Sequence, residues 1–347
     1  MRFIGSKVLL LPDIEKFIKE NVANAESLCD IFSGTASVAR YFKKDYRIIS
    51  NDLLHFSYVL QKATIENDIC PTFNKLINDI GLNPFEFLKT IDIDSYKFED
   101  TPFIYENYSP NSKSDRQYLT NKNALKIDCI RQTIEKWRVQ GLIDESEYYY
   151  LLAGLIESVP YVSNIAGTYG AFLKHWDKRA FKELNLIQLD VTINNRGNVC
   201  FNEDANDLIK RISGDILYID PPYNSRQYAP NYHLLETISR YDMPKISGKT
   251  GLRDYQDIKS RYCAKQEVLI AFDNLIKNAD FKHIIISYST EGIMTSNDIK
   301  KILLKYGDEK TYSMKKISYR RYKRKTGSVK HDLHELLFYI NKNKASI

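Results

Sequence analysis

Apolar and polar positions follow two different rhythms along this chain. Near the start, residues 28–32 form a short apolar run that ends in small residues, Ser33-Gly34-Thr35-Ala36-Ser37. Helically spaced apolar positions follow (Val38, Ala39, Tyr41, Phe42), then a second strand-like run over 46–51, closed by Asp52. Strand, tight turn, helix, strand and terminal acid form the opening unit of a doubly wound α/β sheet. Between 58 and 195 the pattern is helical and polar instead, most clearly over 124–139 and 147–157, with a loop at 105–118 rich in Asn, Ser and Tyr. The first rhythm then returns. Strands are predicted at 198–201, 216–219 and 283–288, and helices at 207–212, 261–278 and 297–305. Two strand-like runs, 310–322 and 335–340, bracket a Gly-Ser turn and predict a C-terminal β-hairpin. The composite is one sheet domain, 1–57 with 198–347, interrupted by a large, mainly helical insert, 58–197.

Composition narrows the class. With 347 residues and 43% hydrophobic content, a substantial core is available and wholesale disorder is excluded. The longest early apolar run, 8–11, stops at Pro12 and is too short for a secretion signal or a membrane span. Five cysteines stand singly without a CxxC pair, so a disulfide framework or zinc–thiolate site is not expected, and a reducing, cytoplasmic setting fits. The charge is unevenly spread. Residues 310–330 carry nine Lys and Arg and no acid, which exceeds the chain's formal +6 and leaves −3 for the remainder. Tyr312, Tyr319 and Tyr322 interleave with these cations. The pattern predicts phosphate contact, with Arg320, Arg321, Lys323 and Arg324 as the DNA-binding candidates.

Four features carry chemistry. In Asp30-Ile31-Phe32-Ser33-Gly34, a glycine in a strand-to-helix turn lets backbone approach a ligand. Asp52, at the end of the second strand, can accept both hydroxyls of a ribose, and it can equally cap a helix. Asp220-Pro221-Pro222-Tyr223 directly follows an apolar strand. The two prolines remove two backbone donors and hold the chain extended. The Asp220 carboxylate and the Pro221 carbonyl can then act as paired acceptors, and Tyr223 as a flat face. That set suits a planar amine. Fourth, Phe3 to Lys7 supplies an aromatic and a cation at the N-terminus.

In this order the four features resemble the Dam-like, adenine-specific DNA methyltransferases. The resemblance covers about 200 residues at the two chain ends. It implies a Rossmann-like methyltransferase sheet, S-adenosylmethionine as cofactor and double-stranded DNA as substrate. Phe3, Lys7, Asp30, Phe32, Ser33, Gly34, Asp52, Asp204 and Asp220 would meet the cofactor, with Lys7 on its carboxylate and Asp204 on its adenine. Glu203 and Asp207 are rivals for that last role. Asp220, Pro221, Pro222 and Tyr223 would be catalytic, acting on an adenine turned out of the duplex. The string from Tyr223 to Glu236 is similar to the restriction–modification subgroup, which implies a companion endonuclease. Ala36 departs from the family, whose members often carry a further glycine there. Alternatives remain: methylation of RNA or of a protein amide, against which the large insert argues, and an inactive DNA-binding module, against which Asp52 and Asp220 argue. Ser247-Gly248-Lys249-Thr250 lacks the first glycine of a phosphate loop, since position 243 is Met243. His331 and His334 lack a third ligand, so no metal is expected. The glycine-rich stretch from Asn164 to Gly170, with Lys174, fits phosphate contact or a helix end.

Overall fold

The computed structural model describes residues 4–318 and 334–342. Seven strands form one sheet: β1 (Ser27–Asp30), β2 (Arg47–Asn51), β3 (Val199–Phe201), β4 (Ser213–Ile219), β5 (Asp280–Ser289), β6 (Ser313–Ser318) and β7 (His334–Asn341). Their order is β3-β2-β1-β4-β5-β7-β6. The pairs from β3 to β5 are parallel, and β7 runs antiparallel between β5 and β6. β1 is buried at all four positions, as expected of a central parallel strand covered on both faces. Helices Leu11–Asn21 and Ser37–Phe42 pack on one face, and Val268–Asn278 and Ser296–Tyr306 on the other. The α/β sheet read from the sequence is therefore present, and β6 and β7 are the two runs assigned to the hairpin.

Chain direction across the sheet reverses between β1 and β4. From β1 the order proceeds outward to β2 and β3, and from β4 to β5 on the other side. In such sheets a crevice opens at the carboxyl ends of the strands flanking the reversal. Asp30 ends β1 and Asp220 follows β4, so both candidate acids fall at that crevice.

The helical layer has its own core. It is built around Asn121–Val139 and Glu145–Ser158, the latter opened by a reciprocal Asp144–Glu147 capping box. Buried residues of 229–238, just after the Asp-Pro-Pro-Tyr string, join this core with Leu54, Phe56 and Val59. The helical layer is thus fastened to both edges of the crevice. Residues 182–195 depart from the helical expectation and carry neither helix nor strand. They run across Glu145–Ser158 instead. Tyr150 donates to the Leu189 carbonyl at 2.7 Å, and the Ile187 carbonyl would lie 2.6 Å from any Cβ at Gly154. The helix expected over 261–278 starts only at Val268. Before it, Arg261–Cys263 is a tight turn, because Tyr262 is buried against Phe32 and bonded to Asn206. The 207–212 helix is likewise short and earlier, at Ala205–Leu208, where Asp204 caps its start.

Candidate active site

The crevice at the reversal is lined by residues from six parts of the chain. Lys7, Asp30, Phe32, Ser33, Gly34, Asp52, Asp204, Asp220, Pro222 and Tyr223 all face it. Pro221 is buried and does not line it. Phe3, Arg320, Arg321, Lys323 and Arg324 lie outside the described residues.

The turn after β1 has left-handed backbone at two places. Gly34 has φ +53° and Ala36 has φ +58°. Only glycine enters this region without steric cost, so the alanine at 36 carries strain of about 1 kcal/mol. The turn is held open by neighbours. Ser33 N–H donates to the Asn51 carbonyl at 2.8 Å, and Gly34 N–H donates to Asp52 Oδ2 at 2.8 Å. Asp52 Oδ1 accepts Leu54 N–H at 2.9 Å. Asp52 therefore fastens the turn and starts the next segment, and spare lone pairs on both oxygens remain for ligand hydroxyls. Burial pushes its carboxyl up to about 6, against those backbone donors.

Asn51 clips the strand ends together. Its amide donates to the carbonyls of Ile31 and Glu203 at 3.1 Å, and its oxygen accepts Glu203 N–H at 3.1 Å. Gln227 and Ser260 form a second clip, exchanging bonds of 2.9 and 2.8 Å. Phe32 and Tyr262 meet edge-on, with centroids 4.9 Å apart, and give the wall a flat aromatic face. Asp204 also lines this end, held by Arg261 at 2.8 Å.

The electrostatics have a clear sign. Five carboxyl groups (Asp30, Asp52, Glu203, Asp204, Asp220) and one ammonium, Lys7, line the crevice. Such a wall repels phosphates and attracts a cation. Asp30 is the focal group. It is 1% exposed, and neither carboxylate oxygen has a hydrogen-bond partner among the described residues. Ser33 Oγ is paired with Ser50 Oγ at 2.6 Å. Burial pushes the Asp30 carboxyl up to about 7; the nearby Ser33 hydroxyl and Ala39 N–H oppose the rise, and the charges of Asp220 and Asp52 add to it. An orphaned buried carboxylate costs several kcal/mol in isolation. A ligand bearing an ammonium or sulfonium beside it would relieve that cost.

Lys7 lies elsewhere than its assigned role alone would place it. Its Nζ is 2.8 Å from Asp220 Oδ1 and 3.1 Å from Glu335 Oε1. Among the described residues two of its three N–H donors thus have carboxylate partners, and one is left for a ligand carboxylate. Glu335 escaped the sequence reading, as did Asn51 and Tyr262. A signal existed for Glu335. It is an acid at the second position of a strand whose next five residues are all buried, on the same face as Leu337 and Tyr339.

Tyr223 is half-buried, and its carbonyl accepts Ile293 N–H at 2.9 Å. Ile4 N–H donates to Tyr232 Oη at 2.7 Å, which binds the N-terminal segment to the stretch after the Asp-Pro-Pro-Tyr string. No cluster of three or more potential metal ligands occurs among the described residues. No helix among them is long and apolar enough to cross a membrane.

A family model described as D12 class N6 adenine-specific DNA methyltransferase matches residues 3–302. The Type II methyltransferase M.FokI of Planomicrobium okeanokoites is 52% identical over 348 residues, covering 99% of this chain and 53% of that protein. Modification methylase StsI of Streptococcus sanguinis is 46% identical, covering 100% and 52%. The Type II methyltransferase M.NlaIII of Neisseria lactamica is 40% identical and aligns over 98% of both chains. The chain spans about half the length of the first two relatives and nearly all of the third.

Proposed function

The chain belongs to the D12 class N6 adenine-specific DNA methyltransferases, and from that premise we propose that it methylates the exocyclic amine of adenine at a specific site in double-stranded DNA, using S-adenosylmethionine. One observation carries the reading. Asp220, Pro222 and Tyr223 and the buried Asp30 carboxylate open into the same acid-lined crevice at the sheet reversal.

The residues present fit that cofactor. Asp30 would take its α-ammonium, Asp52 its ribose hydroxyls, and Phe32, Tyr262 and Asp204 its adenine. The third N–H of Lys7 is available to its carboxylate. S-adenosylmethionine supplies the electrophilic methyl. The chain supplies the acceptor geometry for the amine. An exocyclic amine is a poor nucleophile because its lone pair is delocalised into the ring. Hydrogen bonds from its two N–H groups to the Asp220 carboxylate and the Pro221 carbonyl localise the lone pair. Tyr223 offers a face on which the turned-out base stacks, offsetting part of the few kcal/mol that unstacking costs. Positioning and fixed charge supply the rate enhancement, and no covalent enzyme intermediate is required.

The helical layer over 58–197 is the recognition region in this reading. Arg320, Arg321, Lys323 and Arg324 contact the DNA backbone. The names of the relatives support a place in a restriction–modification system, with a companion endonuclease cutting the unmethylated site. The direct test is transfer of labelled methyl to duplex DNA, followed by digestion to nucleosides. Label is expected in N6-methyladenine, and label in cytosine alone, or none in DNA, would overturn the reading. In a binding titration of duplex DNA at several salt concentrations, the salt sensitivity is expected to soften when those four cations are neutralised. An unchanged slope would remove them from the backbone contact.

A further inference from the structure

We propose that Glu335 is a positioning residue for methyl transfer: from β7 it shares the Lys7 ammonium with Asp220 and so keeps Asp220 a strong acceptor. The inference rests on the function proposed above. It starts from a buried triad contributed by three distant parts of the chain. Lys7 Nζ lies 2.8 Å from Asp220 Oδ1 and 3.1 Å from Glu335 Oε1. The side chains of Lys7, Asp220 and Glu335 are 5%, 18% and 10% exposed. Glu335 is itself held, because its Oε1 accepts the Ser287 hydroxyl at 2.6 Å. Ser287 stands two residues from Ser289, the β5 partner of Glu335, and therefore on the same face.

The arrangement has a chemical consequence. A single ammonium paired with a single buried carboxylate would form a closed, neutral pair. Most of the acceptor strength of Asp220 would then be spent on Lys7 rather than on an incoming amine. Glu335 divides the ammonium. The three groups together carry one excess negative charge when all are ionised, and that excess is available at Asp220. Lys7 engages Oδ1 and leaves Oδ2 for the amine. Glu335 also anchors Lys7 at 3.1 Å, which helps hold the ammonium, and with it the Asp220 carboxylate, in the crevice.

The groups facing Asp220 set its titration. They are Lys7, Glu335, Asp30, Tyr218 and Tyr228. Burial raises its carboxyl, Lys7 opposes, and Glu335 adds to the rise. Removing the charge of Glu335 must therefore move Asp220 toward lower pH. A lower pKa in turn means a weaker acceptor.

The test uses Glu335→Gln, which keeps shape and hydrogen bonding but deletes the charge. Single-turnover methyl transfer is measured from pH 5.5 to 8.5, alongside cofactor and DNA dissociation constants. The plateau rate is expected to fall by about tenfold, with both dissociation constants within about threefold of wild type and the acid limb moved to lower pH. Glu335→Asp is expected to restore the position of the acid limb. A readout free of turnover is the 13Cγ resonance of Asp220, assigned through Asp220→Asn. Its midpoint should fall in Glu335→Gln. If the wild type transfers methyl and the variant changes neither plateau nor midpoint, the role of Glu335 is wrong. A rate loss with an unmoved midpoint also overturns it, since that is what simple loosening of β7 would give. If the midpoint falls but even the wild type leaves DNA unmodified, it is the proposed substrate that fails, and the charge coupling stands.

Discussion

Asp220→Ala is expected to lower methyl transfer to duplex DNA by about 10³-fold or more, the scale of loss when a fixed group stabilising charge in the transition state is removed. DNA binding should not weaken by more than about threefold, because Asp220 is 18% exposed and lies in the crevice wall rather than on an outer face. The variant loses the carboxylate that accepts the amine N–H. Among the described residues it also leaves Lys7 with Glu335 as its one carboxylate partner, so a neutral ion pair replaces the excess negative charge at the point where the amine must become more nucleophilic. Single-turnover transfer of labelled methyl gives the rate, and fluorescence anisotropy of a labelled duplex gives the binding. Transfer within tenfold of wild type would remove Asp220 from the chemistry.

Asp30 gives the second large effect, and its sign depends on pH. Its folded carboxyl stands at about 7, well above its ordinary value, because burial and the charges of Asp220 and Asp52 outweigh the nearby Ser33 hydroxyl and Ala39 N–H. A cationic cofactor requires the ionised form. Affinity for S-adenosylmethionine should therefore be full above pH 7 and fall by up to about tenfold per unit below it, since one proton competes with the ligand. Asp30→Asn should weaken binding by about 10–100-fold at pH 8, the value of a hydrogen bond to a charged group, and should flatten the pH dependence. Stability moves in the opposite direction. A folded carboxyl raised above its unfolded value favours the fold in its neutral form, so this group costs stability above pH 7 and the cost is relieved as pH falls toward about 4. Without cofactor, Asp30→Asn should melt no lower than wild type at pH 8. Calorimetric titration and thermal melts read the two halves. A variant that binds as tightly as wild type at pH 8, or that keeps the wild-type pH dependence, would contradict the assignment.

These residues were legible for different reasons. Asp220 to Tyr223 is contiguous, and its chemistry is local: two prolines, one acid and one ring after an apolar strand. Asp30 and Asp52 were legible because the strand ends of a βαβ unit bring them together at a predictable spacing. Glu335 was not, because its partner Lys7 is 328 positions away in the chain and the two meet only when β7 inserts between β5 and β6. Tyr262 was read as part of a regular helix. The actual tight turn arises from burial of its ring against Phe32, a tertiary contact that helical spacing cannot reveal. Ala36 shows a related limit. It stands where the family often carries glycine, yet its own backbone is left-handed and carries the strain. The irregular 182–195 stretch has apolar residues spaced well enough to read as helix, yet they lie along Glu145–Ser158 as an extended strap.

The central claim is that this crevice methylates adenine at one DNA sequence. The measurement that addresses it most directly is expression in a methylation-free host, followed by single-molecule sequencing of the host DNA. N6-methyladenine confined to one recurring sequence is expected, and it should vanish when Asp220→Ala is expressed instead. N4-methylcytosine in its place, adenine methylation without sequence preference, or modification that persists in the Asp220→Ala strain would contradict the account.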